Sequence, residues 1–191
     1  MKRENLMAAV KEQMPERRWQ HTLGVMETSV ILAERFGGDT VKADLAAILH
    51  DYCKYWAVEE QAKIIRDNDL PKDLLAFDKE LWHSHAGAFI AKTQFGIEDE
   101  EVLDAIRYHT SGREQMTLLD KIVCLADYME PGRDFPGVEH IRELAKISLE
   151  RALVAGFDST INFLISKGKR IYPLTILTRN DLLEQIQQHT K

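Results

Sequence analysis

The chain has few of the residues that staple small domains or interrupt helices: two cysteines, five prolines and ten glycines in 191 residues. Two cysteines cannot build a disulfide framework. Cys53 and Cys124 each lie in an apolar, helix-like stretch, so we predict two reduced thiols in the core of a cytoplasmic protein. There is also no apolar run long enough to span a bilayer and no secretory signal after Met1. These absences argue against a secreted or membrane-bound protein.

Positive charge is in deficit. The chain has 25 lysines and arginines against 31 aspartates and glutamates, a formal net charge of −6. Proteins that coat nucleic acid or bind acidic membranes need broad basic surfaces, so we expect neither partner, although a local cluster can still bind a small anion. With 45% hydrophobic and 29% charged residues, the composition is typical of a globular protein, and the length predicts a single domain over residues 1–191.

Alternating strand patterns are absent as well, apart from a lone stretch at residues 172–178 that contains a proline and could be extended. Elsewhere apolar residues recur with helical spacing, and the second predicted helix is apolar on two sides, as expected at the centre of a bundle. The sequence therefore predicts an all-α fold. The predicted helices cover residues 2–13, 17–36, 40–55, 58–68, 72–80, 83–95, 98–109, 116–130, 137–154, 157–167 and 179–189.

The doublet His50-Asp51 interrupts an otherwise apolar stretch over residues 45–53. Neighbours on a helix point about 100° apart, so two adjacent side chains reach one point only as convergent ligands. Lys54 falls between them on the helical wheel. A metal ion is one reason to place an imidazole and a carboxylate together. The alternative is an exposed polar edge on an amphipathic helix, and the doublet alone does not distinguish the two.

Further ligand-type residues lie on other predicted helices. His21 begins the second helix, His83 opens another, and His109 closes a third. Asp127 lies in the strongly apolar residues 122–130, where a carboxylate needs a partner. A lone histidine is more often a hydrogen-bonded core residue. The ordered set, on several helices that can converge in a bundle core, favours a metal site instead.

This order of residues resembles the HD superfamily of metal-dependent phosphohydrolases. Four segments are similar to the YqeK family of symmetrical diadenosine tetraphosphatases: RRWQHTLGV at 17–25, HDYCK at 50–54, YHTSGR at 108–113 and ADYMEPGR at 126–133. The similarity extends through residues 133–138 to the tail at 172–179. It implies an HD-domain helical bundle and a dinucleoside polyphosphate as substrate.

The resemblance also implies a set of metal ligands, namely His21, His50, Asp51 and Asp127. A mixture of imidazole and carboxylate is compatible with iron, the metal implied, or with manganese. No CxxC pair is present, which argues against thiolate-rich zinc.

Two histidines outside that set have alternative roles. His83 and His109 match a second-metal site of some HD enzymes, whereas the family resemblance implies contact with substrate phosphate. His85 is an additional histidine, which we interpret as peripheral.

The resemblance implies phosphate or nucleotide contacts for Lys54, Arg133 and Arg179, and a nucleotide pocket around Thr110 and residues 172–177. We interpret Lys167, Lys169 and Arg170 as solvated surface cations, and His140 and His189 as surface residues. The full set implied to bind substrate is His21, Asp51, Lys54, His83, His109, Thr110, Asp127, Arg133, Tyr172, Pro173, Leu174, Thr175, Ile176, Leu177 and Arg179.

The function implied is metal-dependent hydrolysis of diadenosine tetraphosphate to two ADP, with Asp51, Lys54, His83 and His109 as the catalytic group. One alternative is another HD phosphohydrolase, acting on a guanosine alarmone or a nucleoside monophosphate. A second is a non-catalytic HD nucleotide-binding module, and a third is a structural helical protein, which leaves the polar set unexplained. An exposed apolar helix face would suit a homodimer.

Overall fold

The computed structural model describes residues 2–188, and within them the chain forms ten α-helices, two 3₁₀ segments and no strands. The all-α prediction is confirmed. The 3₁₀ segments are Lys72–Ala76 and Lys79–Leu81. The helices are α1 Arg3–Lys11, α2 Glu16–Phe36, α3 Thr40–Leu49, α4 Val58–Asp67, α5 Trp82–Thr93, α6 Glu100–Tyr108, α7 Leu118–Met129, α8 Val138–Leu144, α9 Leu149–Ser166 and α10 Pro173–Gln188.

The predicted helix over residues 40–55 was too long, because α3 ends at Leu49. The amides that follow bond to carbonyls three residues back instead of the four of an α-helix: Tyr52 N donates to Leu49 O at 3.1 Å, and Lys54 N donates to Asp51 O at 2.9 Å. The doublet His50-Asp51 thus lies at the helix end rather than inside it. The helical-wheel position of Lys54 was therefore wrong.

The predicted helix over 72–80 was also wrong. Phe77 is extended between the two 3₁₀ segments, and the Asp78 side chain accepts from Glu80 N at 3.0 Å, which starts a new turn. Such side-chain bonds give the backbone an alternative to helix continuation.

Three other boundaries differ from the prediction in the second half of the chain. The break predicted between 154 and 157 falls earlier, where Ser148 caps α9 through Arg151 N at 3.3 Å. Helix α9 then runs through Gly156, which packs against the Tyr128 ring. The stretch at 172–178 is helical, since Pro173 occupies the first position of α10, where a missing N–H costs nothing.

The bundle is organised around α7 rather than α2. Helix α7 packs against α2, α3, α6, α8 and α9, whereas the main partners of α2 are α3 and α7. The apolar residues of α2 are largely buried, but Ile31 is 45% exposed, so one edge of that helix faces solvent.

Both cysteines, Cys53 and Cys124, are buried and free, as predicted. Across residues 2–188, no helix combines the length and apolar character that a membrane span requires.

Candidate metal centre

Six ligand-type side chains converge where several helices begin or end. His21 lies in the second turn of α2, and Asp127 in the last turn of α7. His50 and His109 directly follow α3 and α6, and Asp51 is the residue after His50. His83 is in the first turn of α5. Because each of these side chains lies at or near the end of its helix, the cluster forms without any one helix burying a continuous polar face. An apolar bundle can therefore accommodate it.

The first group of donors is His21, His50 and Asp51, whose ligand atoms lie within 4.8 Å of one another. Asp51 Oδ2 is 3.3 Å from His50 Nε2 and 3.8 Å from His21 Nε2. Asp127 Oδ1 is 3.0 Å from the same His21 nitrogen. The structure therefore brings together all four residues that the resemblance implies as metal ligands.

The second group is Asp51, His83 and His109. Asp51 Oδ1 lies 3.1 Å from His83 Nε2 and 3.8 Å from His109 Nε2. The two histidine nitrogens are 3.2 Å apart. Asp51 thus presents one carboxylate oxygen to each group and links them.

The donor set fits a divalent metal. His50, Asp51, His83 and His109 are almost fully buried. The buried Nε2 atoms of His21 and His50 face carboxylate oxygens at 3.0 and 3.3 Å, but among the described residues neither makes an aligned hydrogen bond. Buried polar atoms without partners are costly in an apolar core. Coordination of an ion by imidazole nitrogens and carboxylate oxygens would satisfy these atoms, and the ligand types suit iron or manganese.

The electrostatics keep the central carboxylate ionised. Burial alone would raise the pKa of Asp51, but His50 and His83 hold it well below its ordinary value. Burial likewise opposes the charged form of Asp127, yet Arg133 and His21 hold its pKa well below the ordinary value. Both groups are therefore carboxylates at neutral pH, the form that binds a cation.

The two histidines of the second group are neutral. Burial lowers the pKa of His109 to about 3, and the neighbouring His50 and His83 rings disfavour a further proton on it. Burial and Lys54 also lower the pKa of His83. A neutral imidazole offers a lone pair to a metal, or one donor and one acceptor to a substrate.

The opposite ring nitrogens fix the orientation of the histidines. His50 Nδ1 donates to the Ala47 carbonyl at 2.6 Å, and His109 Nδ1 donates to the Ile106 carbonyl at 2.7 Å. Such bonds leave Nε2 as the free nitrogen that faces the centre, the arrangement expected of metal-binding histidines.

His21 is held differently, by the carboxylate of Glu130. His21 Nδ1 is 3.0 Å from Glu130 Oε1, and the other carboxylate oxygen accepts from Gly132 N at 2.6 Å. Glu130 is only 3% exposed. A Cβ at Gly24 would come within 2.5 Å of Glu130 Oε2, so glycine at this position leaves room for the carboxylate. Nothing in the sequence alone pointed to this role for Glu130.

We expect Glu130→Ala to weaken metal retention, because His21 loses the partner that fixes its ring. The loss should be about 10- to 100-fold in metal affinity, the usual range for such partners. Metal titration of the apoprotein measures it directly. Glu139→Ala is the control, since Glu139 is exposed and bonds only to Arg142. Equal metal affinities for the two variants would contradict the role of Glu130.

Two of the three cations implied to bind phosphate, Arg133 and Lys54, lie next to the centre, and each already has an acidic partner. Arg133 donates to the Asp127 carbonyl at 2.6 Å and also to its carboxylate. Lys54 Nζ is 2.7 Å from Glu80. Arg18, which the sequence analysis quoted without a role, places Nη1 3.0 Å from Asp51 Oδ2.

The implied nucleotide residues of α10 are only partly at the site. Tyr172 and Thr175 line a cleft together with Lys54 and Thr110. Tyr172 is buried against the Phe77 ring, with centroids 5.0 Å apart.

The others do not line that cleft. Leu177 is 44% exposed, and Arg179 pairs with Asp158 on α9 at 2.7 Å. Pro173, Leu174 and Ile176 lie in the first turn of α10, outside the cleft lining.

The other basic residues discussed from the sequence belong to neither donor group. His85 is buried against Tyr108 rather than at the periphery, and burial lowers its pKa to about 3. Lys167, Lys169, Arg170 and His140 are exposed, as predicted. His189 lies outside the described residues.

Comparison with known proteins agrees with this geometry. A model of the HD domain matches residues 18–132, the range that contains the whole cluster. The chain is 49% identical to a symmetrical bis(5'-nucleosyl)-tetraphosphatase of Bacillus subtilis, over 96% of this chain and 98% of that one. It is 45% identical to a Staphylococcus aureus protein of the same name, over 87% of each.

A solved structure shows the same fold. The crystal structure of an HD superfamily hydrolase from Clostridium acetobutylicum, described as involved in NAD metabolism, superposes with a TM-score of 0.92 at 39% identity. The overlap covers 97% of this chain and 98% of that one. With the HD motif, the donor cluster and these full-length relatives, the chain belongs to the YqeK family of HD-domain hydrolases.

Proposed function

We propose that this protein hydrolyses diadenosine tetraphosphate symmetrically to two ADP. The observation that carries the proposal is the buried Asp51 carboxylate, which links two groups of histidines beside Lys54 and Arg133. Relatives 45–49% identical over most of the chain bear the name of that activity. A small dinucleotide substrate and a cytoplasmic location, with no nucleic-acid or membrane partner, complete the proposal.

The residues that would hold the metal are His21, His50, Asp51 and Asp127, and we infer iron, with manganese as the alternative. When bound, such a metal polarises a phosphoryl oxygen and lowers the pKa of a coordinated water toward neutrality. His50, Asp51, His83 and His109 are almost fully buried, and burial strengthens the charge interactions among them.

The chain's own cations would bind the polyphosphate. Lys54 and Arg133 lie beside the centre, and each forms an ion pair that leaves further N–H donors for phosphate oxygens. They would offset the negative charge that develops during phosphoryl transfer. Because ADP is a good leaving group, no strong general acid is needed.

Two roles fit His83 and His109. With Asp51 Oδ1 they form a donor group of their own, which could hold a second metal. As neutral rings with Nε2 atoms 3.2 Å apart, they could instead contact phosphate. Metal analysis of purified protein separates the roles: two ions per chain support the first, and one ion supports the second.

Product analysis tests the proposed function. In ¹⁸O-labelled water, a single turnover of diadenosine tetraphosphate should give two ADP, with label in only one of them, because water attacks at a phosphorus beside the central bridging oxygen. ATP plus AMP would exclude symmetrical hydrolysis. Turnover confined to a guanosine alarmone or a nucleoside monophosphate would retain the HD chemistry but contradict the substrate.

A further inference from the structure

Four clefts surround the metal centre, and the residues they share divide them into two lobes. We define the α2 lobe as two clefts of about 730 and 420 Å³ that share Arg18 and Tyr55. We define the α9 lobe as two clefts of about 620 and 220 Å³ that share Thr110, Thr160 and Phe163. His21 and His83 line the α2 lobe, whereas His109 and Asp127 line the α9 lobe. The metal donors therefore face both lobes.

The lobes adjoin at two cations. Arg133 lines one cleft of each lobe, and so does Lys54 together with its partner Glu80. A symmetrical dinucleotide has its tetraphosphate in the middle and a nucleoside at each end. Phosphates at the junction of the lobes would meet the cations and the metal donors, and each lobe would then be free to receive one nucleoside.

The linings of the two lobes differ. The α9 lobe contains the apolar side chains of Phe135, Phe163 and Leu164, and Tyr172 lies beside them. This is the side on which the family resemblance places the nucleotide. The α2 lobe is polar. Its lining includes Arg17, Arg18, Gln20, Glu27 and Lys79, and its one exposed aromatic side chain is Tyr55.

We propose that the α2 lobe binds the second nucleoside diphosphate half of the substrate and that Tyr55 stacks on its base. This inference rests on the dinucleotide substrate proposed above. Tyr55 is 53% exposed and lines both clefts of this lobe. It follows the HD doublet by four residues, so its position is tied to the metal centre. Stacking on aromatic rings tolerates any base, because every base has a π-face.

Arg18 connects this subsite to the reaction centre. Its Nη1 donates to Asp51 at 3.0 Å, while the side chain remains 20% exposed. A guanidinium has five N–H donors in a planar fork, so further donors are free for a phosphate on its way from the centre to Tyr55. Glu27, an exposed carboxylate of the same cleft, is of the type that accepts ribose hydroxyls.

The experiment compares two substrates that differ only in the second nucleoside: diadenosine tetraphosphate and adenosine 5'-tetraphosphate. We expect Tyr55→Ala to lower kcat/KM for the dinucleotide about tenfold, the scale of one base–aromatic stack, and to leave the mononucleotide unchanged. Tyr55→Phe keeps the ring and should retain most of the activity. Phe163→Ala, in the apolar lobe that takes the remaining adenosine, should lower kcat/KM for both substrates.

Equal losses for both substrates in Tyr55→Ala, or no loss for either, would overturn the second subsite while leaving the proposed function intact. If the wild-type protein loaded with iron or manganese hydrolyses the mononucleotide but not diadenosine tetraphosphate, the proposed function itself fails. The inference fails with it.

Discussion

Asp51→Asn should abolish hydrolysis and metal retention together while the helical fold survives. The expected loss of kcat/KM is about 1,000-fold, because the metal's stabilisation of a phosphoryl-transfer transition state is worth several kcal/mol. Asparagine keeps the shape of the side chain but replaces the charge that His50, His83 and Arg18 all face. It also removes the carboxylate that links the two donor groups.

Metal analysis, circular dichroism and turnover of the same preparation measure the effect of Asp51→Asn. The matched control is Asp44→Asn, which removes a carboxylate that pairs with Arg3 and belongs to neither donor group. It should retain metal and activity. His50→Ala should reproduce the combined loss, since it deletes a second donor of the same group. An Asp51→Asn protein with full metal content and undiminished turnover would contradict the assignment of Asp51 as a metal ligand.

The all-α fold was predictable because its longer helices are periodic and most of the glycines and prolines lie between helices. What sequence periodicity could not supply was the end of α3. The apolar pattern continues through Tyr52 and Cys53, which are buried, although the backbone has already left the helix. Burial and helical conformation are separate properties, and a pattern of apolar residues reports only the first.

The family resemblance proposes the candidate metal donors as a set, and the structure places these residues close together. Glu130 could not be found in the same way. Its partner His21 is 109 residues away in the sequence. A glutamate that directly follows a helix is also common at solvent-exposed helix ends, so its position gave no sign of a buried contact. One signal was available: Gly24 lies inside the long helix α2, where glycine is unfavourable. A helical glycine of this kind often marks the close approach of another group.

The part of α10 nearest the site was mispredicted for a related reason. Residues 172–178 contain a tyrosine, two β-branched threonines and an isoleucine, residue types that favour extended structure. Tertiary contacts override that preference. Thr178 Oγ1 donates to the Leu174 carbonyl at 2.7 Å and lies 3.3 Å from the Ser111 carbonyl, so α10 is anchored to the loop that follows His109 and Thr110.

Gly112 makes that anchoring possible, and Gly112→Ala should destabilise the protein. Gly112 has a φ of +65°, and a Cβ there would collide with Thr178 Cγ2 and approach Phe157 Cζ to 2.8 Å. Backbone strain and overpacking together should cost about 3 kcal/mol. For a chain of this size, Tm should fall by roughly 6–12 °C. KM for the dinucleotide should rise, because Tyr172 and Thr175 of the cleft move with α10.

Gly96→Ala separates the two causes in the Gly112→Ala variant. Gly96 has nearly the same φ, +66°, but nothing lies within 4 Å of its added Cβ. Gly96→Ala should therefore show the backbone cost alone, about 1 kcal/mol and a fall in Tm of roughly 2–4 °C, with unchanged KM. Calorimetry and steady-state kinetics of the pair measure both quantities. Equal falls in Tm would mean that the Thr178 contact carries no energy and that α10 is not held to the site through Gly112.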